Sequence, residues 1–321
     1  MNFEQSFFCT YLVVRKPQKM AKTLIVLTGP TGIGKTNVGI NLAQYFNAEI
    51  VSSDSRQIFK ELRIGTAVPS SQELSAVKHH FIHSHSITEN YNASRYEMET
   101  MQLLIKLFQH YDIVFLVGGS MLYIDAICKG IDIMPDVDQE IRDALKIQYE
   151  KEGLESLRLQ LKKQDPDYYK IVDLKNPARI IHALEICLMT GKPYSSFRSN
   201  PNKKRPFSIL KIGLNCEREV LHKRINKRVD IMLQEGLVKE AKTVYRQKHL
   251  NSLNTVGYRE MFACFDGEIS LEKASELIKR NSRRYARKQL TWFRKDKEMK
   301  WFEPNQIQEI IEYIEKNIEN K

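Results

Sequence analysis

No apolar run in the 321-residue chain approaches the roughly 18 residues that a helix needs to cross a bilayer. Cysteine is scarce. The five present, Cys9, Cys128, Cys187, Cys216 and Cys264, are scattered, odd in number and form no C-x-x-C pair. That pattern argues against a disulfide scaffold and against a thiolate zinc site, and implies reduced thiols in a cytoplasmic protein. Internal repeats and low-complexity tracts are absent. Acidic residues are outnumbered, 39 against 50 Lys and Arg, for a formal net charge of +11. An excess of this sign points to a polyanionic partner, either nucleic acid or an anionic membrane surface. The length allows one large domain or two smaller ones, and 42% hydrophobic residues allow a substantial core.

What the chain does have is one organising stretch. A short apolar run at residues 24–27 reads as a buried parallel strand. It leads into Gly29-Pro30-Thr31-Gly32-Ile33-Gly34-Lys35-Thr36, which fits G-x-x-x-x-G-K-[ST]. Glycines let such a loop curl until its N–H groups point inward at a phosphate. Residues 37–46 read as a helix whose positive N-terminus faces the same anion. Lys35 then reaches the terminal phosphate and the Thr36 hydroxyl is the expected Mg²⁺ ligand. A diphosphate or triphosphate is thus predicted, without saying what carries it.

A second strand at residues 50–51 is followed by Asp54-Ser55-Arg56-Gln57. Asp54 lies past the carboxyl end of that strand, where ligands sit in open α/β sheets. It reads either as a base or Mg²⁺-side carboxylate, or as a turn cap beside Ser55. Residues 65–97 look irregular and carry His79, His80, His83 and His85. Their spacing lacks the H-E-x-x-H zinc pair, so a polar loop is preferred to a metal site. Residues 97–110 are helical in pattern. A third buried strand follows and ends in Gly118-Gly119-Ser120 without a closing Asp, which leaves Asp54 as the better acidic candidate.

Residues 139–191 read as a charged helical insertion, interrupted at Asp165-Pro166 and Asn176-Pro177. Residues 192–206, with Pro193, Pro201, Pro206 and Lys203-Lys204-Arg205, read as a connector. Strand character returns at residues 209–214. A helix at 218–233 carries Arg224, Lys227 and Arg228 and is ended by Gly236. The last feature is a basic helix with Arg280, Arg283, Arg284, Arg287 and Lys288, interleaved with Tyr285, Trp292 and Phe293. Arg280, Arg284, Arg287 and Lys288 share one face. Like charges so spaced repel unless they meet a polyanion, so an RNA backbone is favoured over a merely solvated face. Two rival readings remain at this level: a small-metabolite kinase built on the phosphate loop, and a non-catalytic RNA-binding module.

Taken in order, these segments resemble the bacterial tRNA dimethylallyltransferases, from about residue 22 to 301. The carriers are the phosphate loop, Asp54-Ser-Arg-Gln57, Gly118-Gly-Ser-Met-Leu-Tyr123, Pro135-Asp-Val-Asp138 with Ile141-Arg142, Arg228-Val-Asp230, Gly236-Leu237, Val256-Gly-Tyr-Arg259, and Arg283-Arg-Tyr-Ala-Arg-Lys-Gln289 with Thr291-Trp-Phe293. The resemblance implies an α/β fold: a P-loop NTPase-like parallel sheet flanked by helices, with an all-helical insertion domain. Its boundaries would be residues 21–133 and 205–321 for the core and 134–204 for the insertion and connector, with 1–20 an extension outside the fold. It implies transfer of a dimethylallyl group from dimethylallyl diphosphate to N6 of the adenosine 3′-adjacent to the anticodon, with Mg²⁺ as cofactor, in a cytoplasmic monomer. The loop, Gly29 to Thr36, would hold the leaving diphosphate. Asp54, Thr31, Arg228 and Ser120 would be catalytic. The tRNA anticodon stem-loop would meet Asp54, Ser55, Arg56, Gln57, Ser120, Arg142, Arg179, Asn254, Gly257, Tyr258, Arg259, Arg283, Arg284, Arg287, Lys288 and Gln289. Departures from the family pattern are Ser120 for a frequent Thr, Val68 for a frequent Lys and His182 for a common Arg. The zinc finger of eukaryotic relatives is not present.

Overall fold

The computed structural model describes residues 22–132, 134–135, 138–198 and 203–319. The proposed extension at 1–20, and Asp136 and Val137 of the Pro135 to Asp138 motif, lie outside them. The first half of the core runs β1 (Thr23–Thr28), α1 (Lys35–Tyr45), β2 (Ile50–Ser52), α2 (Ser71–Ala76), β3 (His79–His80), α3 (Ala93–Leu107), β4 (Ile113–Gly118) and α4 (Met121–Lys129). Three helices follow, α5 (Gln139–Gln164), α6 (Pro166–Ile171) and α7 (Pro177–Thr190). The second half of the core has β5 (Ser208–Leu214), α8 (Arg218–Glu235), α9 (Leu237–Val244), α10 (Tyr258–Phe265), α11 (Leu271–Phe293), β6 (Lys300–Phe302) and α12 (Ile307–Glu319).

The six strands form one all-parallel sheet in the order β3-β2-β4-β1-β5-β6. β1 reads TLIVLT without polar alternation because both of its faces are covered, as in parallel sheets generally. Ile25 and Leu27 pack toward α1 and α12, with Ile310 and Ile314. Leu24 and Val26 pack toward α3, α4 and the end of α11, with Leu104, Ile127 and Phe293. β1 lies between β4 and β5, so the loops leaving β1 and β4 meet at the carboxyl edge of the sheet.

A separate apolar cluster lies among α8 to α11 and the segment after β2. It includes Ile58, Leu62, Val229, Met232, Tyr258, Phe262 and Ile278. α5 and α7 pack on each other around Leu145, Leu161, Ile180 and Leu184. α5 is broken at Gly153, whose φ of 77° no helix tolerates. Pro166 and Pro177 each stand at a helix start, where a missing N–H costs nothing. Both chain crossings into this helical region meet one buried carboxylate. Glu97 of α3 accepts from Ile131 N–H on the way out and from Lys203 and Arg205 on the way back.

Residues 65–97 are more regular than the sequence reading held. α2 is a short helix fixed by a capping box in which Ser70 Oγ accepts from Glu73 N–H and Glu73 accepts from Ser70 N–H. β3 adds an edge strand, and α3 starts at Ala93, capped by Asn92. The histidines there bond locally: His79 to the Val77 carbonyl, His80 to Glu49, and His85 to Ser84 and Glu99.

Candidate active site

The site is built on the two loops that leave β1 and β4. The β1 loop wraps into α1 through Gly34, which takes φ 101° as the N-cap. A side chain at Gly34 would also strike the Arg224 guanidinium at 2.8 Å. Lys35 folds back over the loop and donates to the Gly29 and Pro30 carbonyls, each at 3.0 Å. Burial pulls the Lys35 pKa from 10.5 down to about 8; Asp54 pulls it back up and Arg228 pushes it further down. This is an ammonium short of anionic partners.

Arg228 of α8 reaches the same point. Its Nη2 donates to the Thr31 hydroxyl at 2.5 Å. Its Nε is buried with no protein partner, and burial lowers its pKa. A buried guanidinium N–H without a protein partner is satisfied by water or by an acceptor on a bound ligand. Asp54 sits beyond β2 with Oδ1 accepting from the amides of Arg56 (2.9 Å) and Gln57 (3.4 Å). One oxygen of Asp54 therefore caps the turn, and the residue lines the cavity with Thr31 and Arg228. Ser120, the N-cap of α4, accepts from the Ser55 amide at 2.8 Å and donates to the Ser55 hydroxyl at 3.0 Å. Gly118 allows this approach, because a Cβ there would lie 2.4 Å from Ser53.

Three cavities lie in sequence, each sharing lining residues with the next. The phosphate end, about 430 Å³, is lined by Thr31, Lys35, Thr36, Asp54, Arg224 and Arg228. The centre, about 410 Å³, shares Thr31, Asp54 and Arg228 and adds an apolar wall of Val229, Met232, Leu237 and Ile278. The mouth, about 520 Å³, shares Ser55, Arg56, Ser120 and Tyr285 with the centre and opens beside Gln139 and Arg142 of α5. A phosphate end with an apolar wall beside it suits a ligand that is anionic at one end and hydrocarbon next to it.

A further groove of about 600 Å³ lies between the start of α8 and the side of α11 turned away from Tyr285. Arg218, Arg280, Arg283, Arg284, Arg287 and Arg294 line it, with His222. Among the described residues none of the six guanidiniums has an ion-pair partner. Arg283 donates to Asn226 at 2.5 Å. Such a set repels itself unless a polyanion covers it.

The residues assigned to RNA by motif fall into two groups. Asn254, Arg259, Arg179, Arg284, Arg287 and Lys288 are exposed. The others are buried or half-buried, and several of them line the cavities or the groove. Tyr258 is fully buried and donates to Glu240 at 2.6 Å, and Gly257 is buried beside it. Glu240 in turn accepts from the amides of Arg63, Ile64 and Gly65, which fixes the loop after β2. Arg142 grips the buried Glu185 with two nitrogens, at 2.6 and 2.9 Å, and ties α5 to α7 while still edging the mouth. Arg56 donates to the carbonyls of Asn251 and Ser252. Gln289 is 2% exposed. Burial turns the Tyr258 and Gln289 side chains into the protein, whereas Gly257 lines the central cavity. Arg224 was missed as a site residue. The signal for Arg224 was its place one helical turn before Arg228.

Comparison with known proteins meets this geometry at the level of family. A family model described as IPP transferase matches residues 57–296. The chain belongs to the IPP transferase family. tRNA dimethylallyltransferase 1 of Bacteroides fragilis is 56% identical over 298 residues, 93% of this chain and 99% of that protein. The crystal structure of the tRNA isopentenylpyrophosphate transferase from Bacillus halodurans superposes with a TM-score of 0.69 at 34% identity, covering 93% of this chain and 97% of the other. A eukaryotic dimethylallyltransferase solved while acting on tRNA gives a TM-score of 0.72 at 28% identity, covering 85% of this chain and 70% of that one. The fold is thus the P-loop-like parallel sheet flanked by helices of the tRNA isopentenyltransferases. No helix among the described residues is long and apolar enough to cross a membrane.

Proposed function

We propose that the protein transfers the dimethylallyl group of dimethylallyl diphosphate to N6 of the adenosine 3′-adjacent to the anticodon in tRNAs, releasing diphosphate. The observation that carries this reading is the row of three adjoining cavities. The phosphate loop adjoins a centre with an apolar wall, and the centre adjoins a mouth beside the helical region. The family supports tRNA as the acceptor. tRNA would enter from the mouth, with the helical region at residues 134–204 and the exposed arginines of α11 holding its backbone. The adenine would leave its stack to reach the centre, as base-modifying enzymes require.

In the chemical step the adenosine amine attacks C1 of the donor. The C1–O bond breaks with its electron pair going to diphosphate, and the amine proton goes to Asp54. Arg228, Lys35 and the loop amides lie where negative charge grows on the leaving group. Asp54 keeps its position because one oxygen is held by the Arg56 amide. Ser120 lies between centre and mouth and would orient the incoming base. The apolar wall keeps water from the activated carbon.

The residues present fit Mg²⁺. Thr36 offers a hard oxygen to the phosphate end, and Mg²⁺ normally takes most of its remaining ligands from phosphate and water. Bound there, Mg²⁺ would help neutralise the departing diphosphate. A cytoplasmic monomer is the proposed state. Incubation with dimethylallyl diphosphate, Mg²⁺ and unmodified tRNA tests the reading. Mass spectrometry should find a five-carbon addition on one adenosine. Thermal stabilisation by ATP and none by the allylic donor would favour a kinase instead.

A further inference from the structure

We infer that Gln289 is a positioning residue of the phosphate loop, binding it to the β4–α4 turn and so to the basic helix α11. The inference rests on the proposed role of the loop as the diphosphate site.

Gln289 stands in an arginine-rich stretch of α11, yet it points inward and is 2% exposed. Its Oε1 accepts from the Thr31 amide at 2.8 Å. Its Nε2 donates to the Gly119 carbonyl at 2.8 Å. One carboxamide therefore links the loops that leave two neighbouring central strands. Both ends are functional: the Thr31 hydroxyl receives Arg228, and Gly119 precedes Ser120. Only a group with one acceptor and one donor at this spacing serves both bonds. A methionine serves neither. An ionised glutamate keeps the bond from Thr31 but meets the Gly119 carbonyl oxygen with negative charge.

Gly119 supplies an independent observation. Its φ is not among the positive values, so the backbone does not demand glycine there. A Cβ would instead lie 2.4 Å from Gln289 Nε2, with the Lys35 Nζ at 3.5 Å. The glycine is needed because the carboxamide occupies the space, directly beside the phosphate-binding ammonium. Arg287 lies two residues before Gln289, on the opposite side of α11, in the arginine groove. RNA seated on that side would hold the helix that holds the loop.

The test measures two affinities separately on the full chain: inorganic diphosphate by calorimetry, and unmodified tRNA by filter binding without donor. Gln289→Met should weaken diphosphate about tenfold or more, since it leaves two buried polar groups unpaired, while tRNA affinity stays within about twofold. Gly119→Ala should reproduce that split by displacing the carboxamide. Gln289→Glu should bind diphosphate more weakly than wild type at neutral pH, with a deficit that shrinks as pH falls and the carboxyl gains a proton to donate. If Gln289→Met fails to fold, the other two variants carry the test. A loss confined to tRNA affinity, an equal loss of both, or no change in either overturns the inference. None of these results depends on transfer, so a failure of the proposed reaction shows separately, as wild-type protein that binds diphosphate but adds nothing to tRNA.

Discussion

Replacing Asp54 with Asn separates the two things this carboxylate does. Asn keeps an Oδ1 acceptor, so the bond from the Arg56 amide, 2.9 Å in the wild type, survives and the turn after β2 keeps its shape. What is lost is basicity and one negative charge. Loss of a positioned general base lowers kcat by about 10²- to 10⁴-fold, or about 3 to 5 kcal/mol of barrier. The charge effect has the opposite sign for the donor. Asp54 is the acidic neighbour that opposes the positive field of Lys35 and Arg228. Without it the phosphate end is more positive, so affinity for dimethylallyl diphosphate should hold or rise. Steady-state kinetics with unmodified tRNA, donor calorimetry and a thermal melt give the three readings. A kcat within threefold of wild type refutes Asp54 as the base. A loss of donor affinity together with rate refutes the assignment of its charge.

Lys35 predicts a pH profile. In the free enzyme its pKa is about 8, so above that pH donor binding must first take up a proton, and affinity falls by up to about tenfold per pH unit. The fall should be measurable as a descending limb in donor affinity and should vanish in Lys35→Arg, which stays charged. Arg284→Ala and Arg287→Ala should each weaken tRNA binding regardless of loop sequence and reduce the salt dependence of log affinity by about one unit of slope. Arg142→Met leaves the Glu185 carboxylate, 1% exposed, with His182 at 3.3 Å in place of its bidentate partner. That change should destabilise the helical region by about 3 kcal/mol, read as a lower-temperature transition in calorimetry. Glu240→Ala removes one acceptor from three amides and the Tyr258 hydroxyl. It should cost about 3 kcal/mol in a denaturant titration and raise donor KM, because the loop it holds forms the cavity wall.

The legible parts of the sequence were those with local chemistry. The phosphate loop announced itself by glycine spacing, and its strand and helix were placed within two residues of β1 and α1. α2 was legible too, since Ser70 and Glu73 spell a capping box, but the surrounding histidines drew the reading toward a loop. α12 carries Ile307, Ile310, Ile311, Ile314 and Ile318 at helical spacing, a pattern the sequence reading did not use. Burial inside a functional motif was not legible. Tyr258 and Gln289 look like surface contacts in the chain, yet their partners are Glu240, Thr31 and Gly119, which no local pattern connects to them. Arg142 shows the same blindness: its partner, Glu185, is 43 residues away in sequence.

The central claim is that a loop shaped for nucleotide phosphates here holds the leaving group of an allylic donor. The most direct measurement supplies dimethylallyl diphosphate and unmodified tRNA with ATP excluded, and counts products. The account predicts one diphosphate released for each five-carbon unit gained by an adenosine beside the anticodon, with both lost in Lys35→Met. Transfer that needs ATP and yields orthophosphate, or transfer that continues in Lys35→Met, would contradict it.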